Sequence, residues 1–220
     1  MEKLIVNDVK YAYKSKYQTV YALNGISYEF EKGRFYAIVG KSGSGKTTLL
    51  SLIAGLDNPT SGEIIAGDKN VAKLDRDKFR LQHVSVIYQS YNLFPLLTTL
   101  ENVMFPLEYK KIRKSKAKKI ALEKLSSVGI EGPMLKRLPS MLSGGEQQRV
   151  AIARALATET EFILADEPTG NLDTENTANI ISLLRELSSK ENVCVIVVTH
   201  DTDVAEQADT VVRLSDGLIV

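Results

Sequence analysis

The sequence predicts an α/β fold built on a mainly parallel sheet, and three observations carry that prediction. Short apolar runs recur at Phe35–Val39, Phe162–Ala165 and Val193–Val198, as strands buried on both faces require. Stretches with helical periodicity alternate with them, which implies a parallel sheet. A block from about Leu93 to Ala157 reads almost wholly as helix and looks like an inserted subdomain.

Each element has its own signal. Leu4–Tyr13 and Ile26–Phe30 show partial alternation and read as strands. Glu31-Lys32-Gly33 makes a turn before Phe35–Val39. A glycine-rich turn follows, then a helix from near Lys46 carrying Leu49, Leu50, Leu52, Ile53 and Leu56. Gly55 and Asp57-Asn58-Pro59 end it. Val84–Tyr88 is strand-like. Ser115 is expected to N-cap a helix over Lys116–Val128, with Ala117, Ile120, Ala121, Leu125 and Val128 on one face and Gly129 as the stop. A helix over about Glu175–Ser188, the strand Val193–Val198 and a hairpin Val211–Val220 complete the chain. The expected division is one core over residues 1–92 and 158–220, with a helical subdomain over about 93–157.

Composition excludes several classes. Among 220 residues, 28 Lys and Arg face 27 Asp and Glu, so no polyanion-binding surface covers the whole molecule. The hydrophobic share of 44% is enough to bury a core, which argues against disorder. The longest apolar run, Val193–Val198, is far short of the roughly 20 residues that span a bilayer. The N-terminus lacks the apolar stretch of a signal peptide. Cys194 is the sole cysteine, which excludes an intramolecular disulfide. Together these facts suggest a cytosolic protein. The basic residues between Lys110 and Lys119 read as the solvated face of an amphipathic helix. No aromatics interleave with them, so nucleic acid is not an expected partner.

Gly40-Lys41-Ser42-Gly43-Ser44-Gly45-Lys46-Thr47 matches the full phosphate-loop pattern. Backbone amides must converge on the phosphates there, and side chains would block them. The cradle also opens a helix N-terminus, where the dipole favours anions. Lys46 can reach the β- and γ-phosphate oxygens, and Thr47 can place a hydroxyl on Mg²⁺. Thr48 completes the nucleotide-binding set. Phe162-Ile163-Leu164-Ala165 ends in Asp166 and Glu167. Ligands of α/β sheets bind at carboxyl ends of strands. Asp166 is therefore a candidate Mg²⁺ ligand, and Glu167 a candidate base for an attacking water. Leu142-Ser143-Gly144-Gly145-Glu146-Gln147-Gln148-Arg149, ahead of the helical run Val150–Ala157, is a second anion-binding device. One chain has no obvious use for two. A two-fold dimer does, if the second loop of one subunit caps the γ-phosphate held by the other.

With these residues in place, the sequence resembles the ATP-binding cassette family, the nucleotide-binding subunits of ABC transporters. The resemblance runs from about Leu4 to the end of the chain. Leu142–Gln147 is similar to the signature motif, with Glu146 where the family usually has glutamine. Gln89 matches the Q-loop, implied to approach Mg²⁺ and to face a membrane subunit. Asn171-Leu172-Asp173 matches the D-loop, preceded by Gly170 where many members have serine. Thr199-His200 matches the switch histidine that contacts the γ-phosphate. Tyr13 is the choice for the aromatic on adenine, with Tyr11 its rival.

The family implies a P-loop NTPase core with an N-terminal antiparallel β part and an inserted helical signature subdomain. It implies ATP and Mg²⁺ as cofactors and a head-to-tail dimer, expected to be a homodimer. Lys46, Glu167 and His200 would be catalytic, and Ser143, Gly144, Gly145, Glu146 and Asp173 would reach the partner's nucleotide. Thr47, Asp166 and Gln89 would attend the metal. Leu93–Leu107 would form the groove for a membrane permease subunit, which places the protein on the cytoplasmic face of the membrane. The wording of the motifs is most similar to the lipoprotein-release, macrolide-export and antimicrobial-peptide-resistance subfamily. A cell-division ATPase is a close relative. Only 20 residues follow His200, read as no room for a regulatory domain.

Overall fold

The structure, a computed structural model, describes residues 2–170 and 172–220. Asn171, the first residue of the D-loop motif, lies outside the described residues.

A long hairpin opens the chain. Strand β1 (Lys3–Lys14) pairs antiparallel with β2 (Thr19–Glu31). Strand β3 (Phe35–Val39) leads into helix α1 (Lys46–Ile53). Strands β4 (Ser61–Ala66) and β5 (Lys69–Asn70), helix α2 (Arg76–His83) and strand β6 (Val84–Tyr88) follow. Helices α3 (Thr99–Tyr109), α4 (Lys114–Ser127) and α5 (Gly144–Ala157) make the helical layer. The chain then returns through β7 (Phe162–Asp166), α6 (Thr174–Glu191), β8 (Cys194–Thr199), α7 (Thr202–Glu206), β9 (Thr210–Ser215) and β10 (Leu218–Ile219).

Two sheets result. The first runs β2-β1-β4-β5 and is antiparallel throughout. The second runs β10-β9-β3-β8-β7-β6, parallel except for the β9–β10 pair. This bears out the expected parallel core with an antiparallel N-terminal part.

The parallel strands bury both faces, and their alternation feeds two apolar clusters. Ile163, Ala165, Val195 and Val197 pack with the helical layer and α6. Phe162, Leu164, Cys194, Ile196 and Val198 pack toward α1 and the antiparallel sheet. Burying each Val, Leu, Ile or Phe side chain among them contributes about 1.5–3 kcal/mol. The strands are thereby fixed from above and below, and their carboxyl ends become a rigid platform. The helical layer shares its cluster with the sheet, so α3–α5 are packed onto the platform.

Several element bounds differ from the sequence reading. Strand β2 begins at Thr19, because its first half gains pairing from β1 that no apolar alternation announces. Helix α1 stops at Ile53. The helix expected from Ser115 starts instead at Lys114, and Ser115 lies inside its first turn with no cap role. Arg113 is the N-cap residue, and its carbonyl accepts the first helical bond from Ala117 N at 2.9 Å. The other end matches expectation. Gly129 N bonds Ser126 O and Ile130 N bonds Leu125 O, the paired closure that stops a helix. Helix α2 and strands β4 and β5 were not legible. Phe79 is the one buried residue of α2, too little for a periodic apolar signal.

Candidate functional site

The phosphate loop bridges β3 and α1 at the platform's carboxyl edge. Gly45 is the N-cap of α1 with φ 101, a left-handed value suited to glycine. Among the described residues no side chain caps this helix, so its first amides are open to a ligand. Gly40 is required by close approach, since a Cβ there would lie 2.1 Å from Leu214 O. Lys46 is buried, and its ammonium donates to Gly40 O at 2.8 Å and Lys41 O at 3.0 Å. Ser42 and Gly43 line the same cavity as Lys46. The Ser44 hydroxyl is buried without a partner among the described residues and lies beside Gly40.

Strands β7 and β8 bring the other groups. Thr47 Oγ1 donates to Asp166 Oδ1 at 3.2 Å, joining the loop helix to the end of β7. Burial pushes the Asp166 carboxyl above its usual range, while the Thr47 bond and Lys46 pull it down. The next residue, Glu167, has a left-handed φ of 47, and its amide is tied to Val198 O at 2.9 Å. That bend re-aims the Glu167 carboxylate toward His200, whose Nδ1 donates to Oε1 at 2.9 Å. The bond raises the His200 pKa above its ordinary value. A cavity of 720 Å³ has Lys46, Thr47, Thr48, Glu167 and His200 on its wall.

At the far end the β1–β2 hairpin supplies aromatic surface. Tyr13 and Tyr21 line the cavity with Val20 and Ala22. The Tyr13 hydroxyl shares a 3.0 Å hydrogen bond with Thr48 Oγ1. Tyr11 turns elsewhere: its hydroxyl donates to Asp57 Oδ2, and its ring meets Tyr13 edge-on at 5.0 Å. Tyr11 is absent from the cavity wall.

The second glycine loop lies apart from this cavity, which none of Ser143–Glu146 lines. Ser143 is the N-cap of α5 in a reciprocal capping box with Glu146. Glu146 Oε2 accepts from Ser143 N, and Ser143 Oγ accepts from Glu146 N. The Glu146 carboxylate therefore turns back onto the helix start. Asp173 caps α6 and accepts from Asn176 N at 2.8 Å. Asn176 in turn takes a bond from Arg149 and packs on Gly145. Gly144 opens α5, so Ser143, Gly145 and Asp173 sit close together on one chain. Gln89 follows β6 and lies beside Gly170, where its Nε2 would stand 2.8 Å from a Cβ; it is not on the cavity wall.

Three positions escaped the sequence reading. Arg154 on α5 donates to Asn92 O at 2.7 Å and to Tyr91 O at 2.9 Å. Asn102 on α3 is fully buried and holds the 94–98 loop, accepting from Phe94 N and donating to Leu97 O. Tyr21 lines the cavity because β2 starts early. Tyr21 pairs with Ala12, next to Tyr13, a register that no apolar alternation announces.

The sequence model described as ABC transporter matches residues 23–170, which contain the phosphate loop, the signature loop and the β7 carboxylates. The chain belongs to the ABC transporter family. As an ATP-binding cassette of that family it is an ATPase. It is similar to the lipoprotein-releasing system ATP-binding protein LolD of Saccharophagus degradans, 45% identical over 97% of this chain and 94% of that protein. It is 46% identical to the macrolide export ATP-binding/permease protein MacB of Rhodopirellula baltica, over 90% of this chain and 29% of that longer protein. Among solved structures it resembles a dimeric post-hydrolysis state of the cassette MJ0796 of Methanocaldococcus jannaschii bound to ADP and Pi. That match has a TM-score of 0.92 and 39% identity, over 98% of this chain and 96% of that one.

The cassette's donor set fits a divalent ion shared with phosphate. Thr47 and Asp166 offer one hydroxyl and one carboxylate within hydrogen-bond distance, and the carboxylate's charge is costly where it stands. Among the described residues no three His, Cys, Asp or Glu side chains form a metal cage. Mg²⁺ prefers such a site, with few protein ligands and the rest from phosphate and water. No helix among the described residues is long and apolar enough to cross a membrane.

Proposed function

We propose that this cassette hydrolyses ATP at sites completed by a second copy of itself, and that closure drives a separate membrane subunit. The observation that carries the reading is the convergence of Lys46, Thr47, Glu167 and His200 on one cavity. The loop Gly40–Gly45, with Lys41, Ser42, Gly43 and Ser44, would wrap the phosphates through backbone amides, and Lys46 would leave its carbonyl partners for phosphate oxygens. Tyr13 would stack on adenine. Thr47 and Asp166 would hold Mg²⁺, with Gln89 approaching from the β6 side. Bound Mg²⁺ supplies neutralisation of the phosphate oxygens.

The reaction is an in-line displacement by water at the γ-phosphate. Glu167 would take the water's proton, and His200, held by Glu167, would keep phosphate and water aligned. Ser143, Gly144 and Gly145 of a partner, with Asp173, would close the site and exclude bulk water. Glu146 contributes by holding the amides of α5 in place. That this loop lies away from its own chain's cavity supports action in trans.

The Leu93–Leu107 stretch, whose Phe94, Leu96 and Phe105 are exposed, would receive a segment of the membrane subunit on the cytoplasmic face. Similarity to LolD and MacB supports export or mechanotransmission as the work performed. The test is nucleotide turnover by the purified chain with and without Mg²⁺, alongside Lys46→Ala. Mg²⁺-dependent release of phosphate, lost in the variant, is expected. Turnover by Lys46→Ala at the native rate would contradict the reading.

A further inference from the structure

The loop between β6 and α3 has a strained turn. Tyr91 and Asn92 are consecutive and both left-handed, with φ of 62 and 46. Asparagine tolerates that region, whereas a tyrosine there is a strained residue. Such strain persists where the surroundings over-determine it, and it concentrates at switch segments. The turn's own backbone bonds, Tyr91 N to Tyr88 O and Asn92 N to Ser90 O, tie it to itself.

The restraint from outside is Arg154. Its guanidinium donates to both left-handed residues' carbonyls, at 2.7 and 2.9 Å. A planar fork suits two neighbouring acceptors. Among the described residues no carboxylate forms an ion pair with it, and burial disfavours its charge. The two carbonyls therefore stand in for a counter-charge. Arg154 lies on the helix that begins at Gly144, and Gln89 lies two residues before the turn.

We infer that Arg154 is a positioning residue that pins the strained Tyr91-Asn92 turn to α5, so that Gln89 moves with the signature helix. The inference rests on the proposed approach of Gln89 to the nucleotide's metal. Strand β6 delivers Gln89 from the sheet, and Arg154 attaches the Tyr91-Asn92 turn to the helical layer. A shift of α5 when a partner's nucleotide meets Ser143 would thus pull on the segment carrying Gln89.

The test measures steady-state hydrolysis and binding of a fluorescent ATP analogue on the full chain. Arg154→Ala is expected to lower kcat about tenfold or more, as small misplacements near a reacting centre do, with KM and analogue binding within about twofold. Adding Tyr91→Gly removes the strain and should recover several-fold of the lost kcat. Gln89→Ala should lower kcat, and the double variant Gln89→Ala/Arg154→Ala should be no worse than Gln89→Ala alone. If Arg154→Ala does not fold, Arg154→Lys, which keeps charge and loses the fork, carries the same comparisons. Multiplying defects in the double variant, no recovery with Tyr91→Gly, or a KM that rises as far as kcat falls would overturn the inference. Normal hydrolysis by Gln89→Ala would instead sink the reading of Gln89, and the route through it.

Discussion

His200 Nδ1 donates to Glu167 Oε1 at 2.9 Å, across the ends of β8 and β7. The contact exists because Glu167 is bent out of its strand by a left-handed φ and tied through its amide to β8. The proposed base and the group proposed to orient the phosphate are therefore set as a pair by two adjacent parallel strands. Glu167→Gln should keep nucleotide binding and lower turnover by roughly 10²-fold or more, the usual worth of a positioned base. ATP binding and phosphate release, measured in parallel, check it.

The same pair predicts a titration. The bond to Glu167 holds the His200 pKa above its ordinary value of about 6.5. A raised folded-state pKa contributes stability fully present below the unfolded value and lost as pH rises through the folded one. His200 is largely exposed, so the contribution to stability is small. NMR titration of the imidazole should show the raised value, and Glu167→Gln should lower it.

On the base side, Tyr13 and Tyr11 separate cleanly. Tyr13→Ala should weaken ATP binding roughly tenfold, in line with about 1–3 kcal/mol for base stacking. Tyr13→Phe, which loses only the bond to Thr48, should cost less. The Tyr11 hydroxyl is pushed up to about 12 by its bond to Asp57, and Asp57 is held below its usual range. Their joint contribution to stability is therefore present at neutral pH, lost at the acid end as Asp57 protonates and at the alkaline end as Tyr11 ionises. Tyr11→Phe should flatten that pH dependence, read by thermal melts, and leave ATP affinity nearly unchanged.

Helix starts give a stability contrast. Thr98 caps α3 in a reciprocal box with Glu101, so Thr98→Ala should cost about 1 kcal/mol. Ser115 caps nothing, so Ser115→Ala should be neutral or slightly stabilising, since alanine favours a helix. Denaturant unfolding of both variants measures the difference.

The legible parts of the molecule were those whose chemistry is written in adjacent residues. The phosphate loop, Asp166-Glu167 and the signature loop each combine a residue type with a strand end or helix start. The apolar runs at β3, β7 and β8 were equally plain, because strands buried on both faces need no polar alternation. The hidden parts depend on partners distant in sequence. Thr19–Asn24 becomes strand through its pairing with β1. Arg154 and Asn102 look like ordinary residues of apolar-faced helices, yet their partners are loop backbone groups 62 and 8 residues away. Arg113 takes the place of Ser115 as N-cap of α4 because the chain enters the helix earlier than a capping preference suggests.

The central claim is that each hydrolytic site joins Glu167 of one copy to Ser143 of another. Ser143→Arg should bind ATP and fail to hydrolyse it, as should Glu167→Gln. Mixing the two inactive variants in equal amounts tests the claim directly. About half of randomly paired dimers are then mixed, and each mixed dimer has one intact site, so about a quarter of native turnover should return. A mixture as inactive as its components would contradict the account.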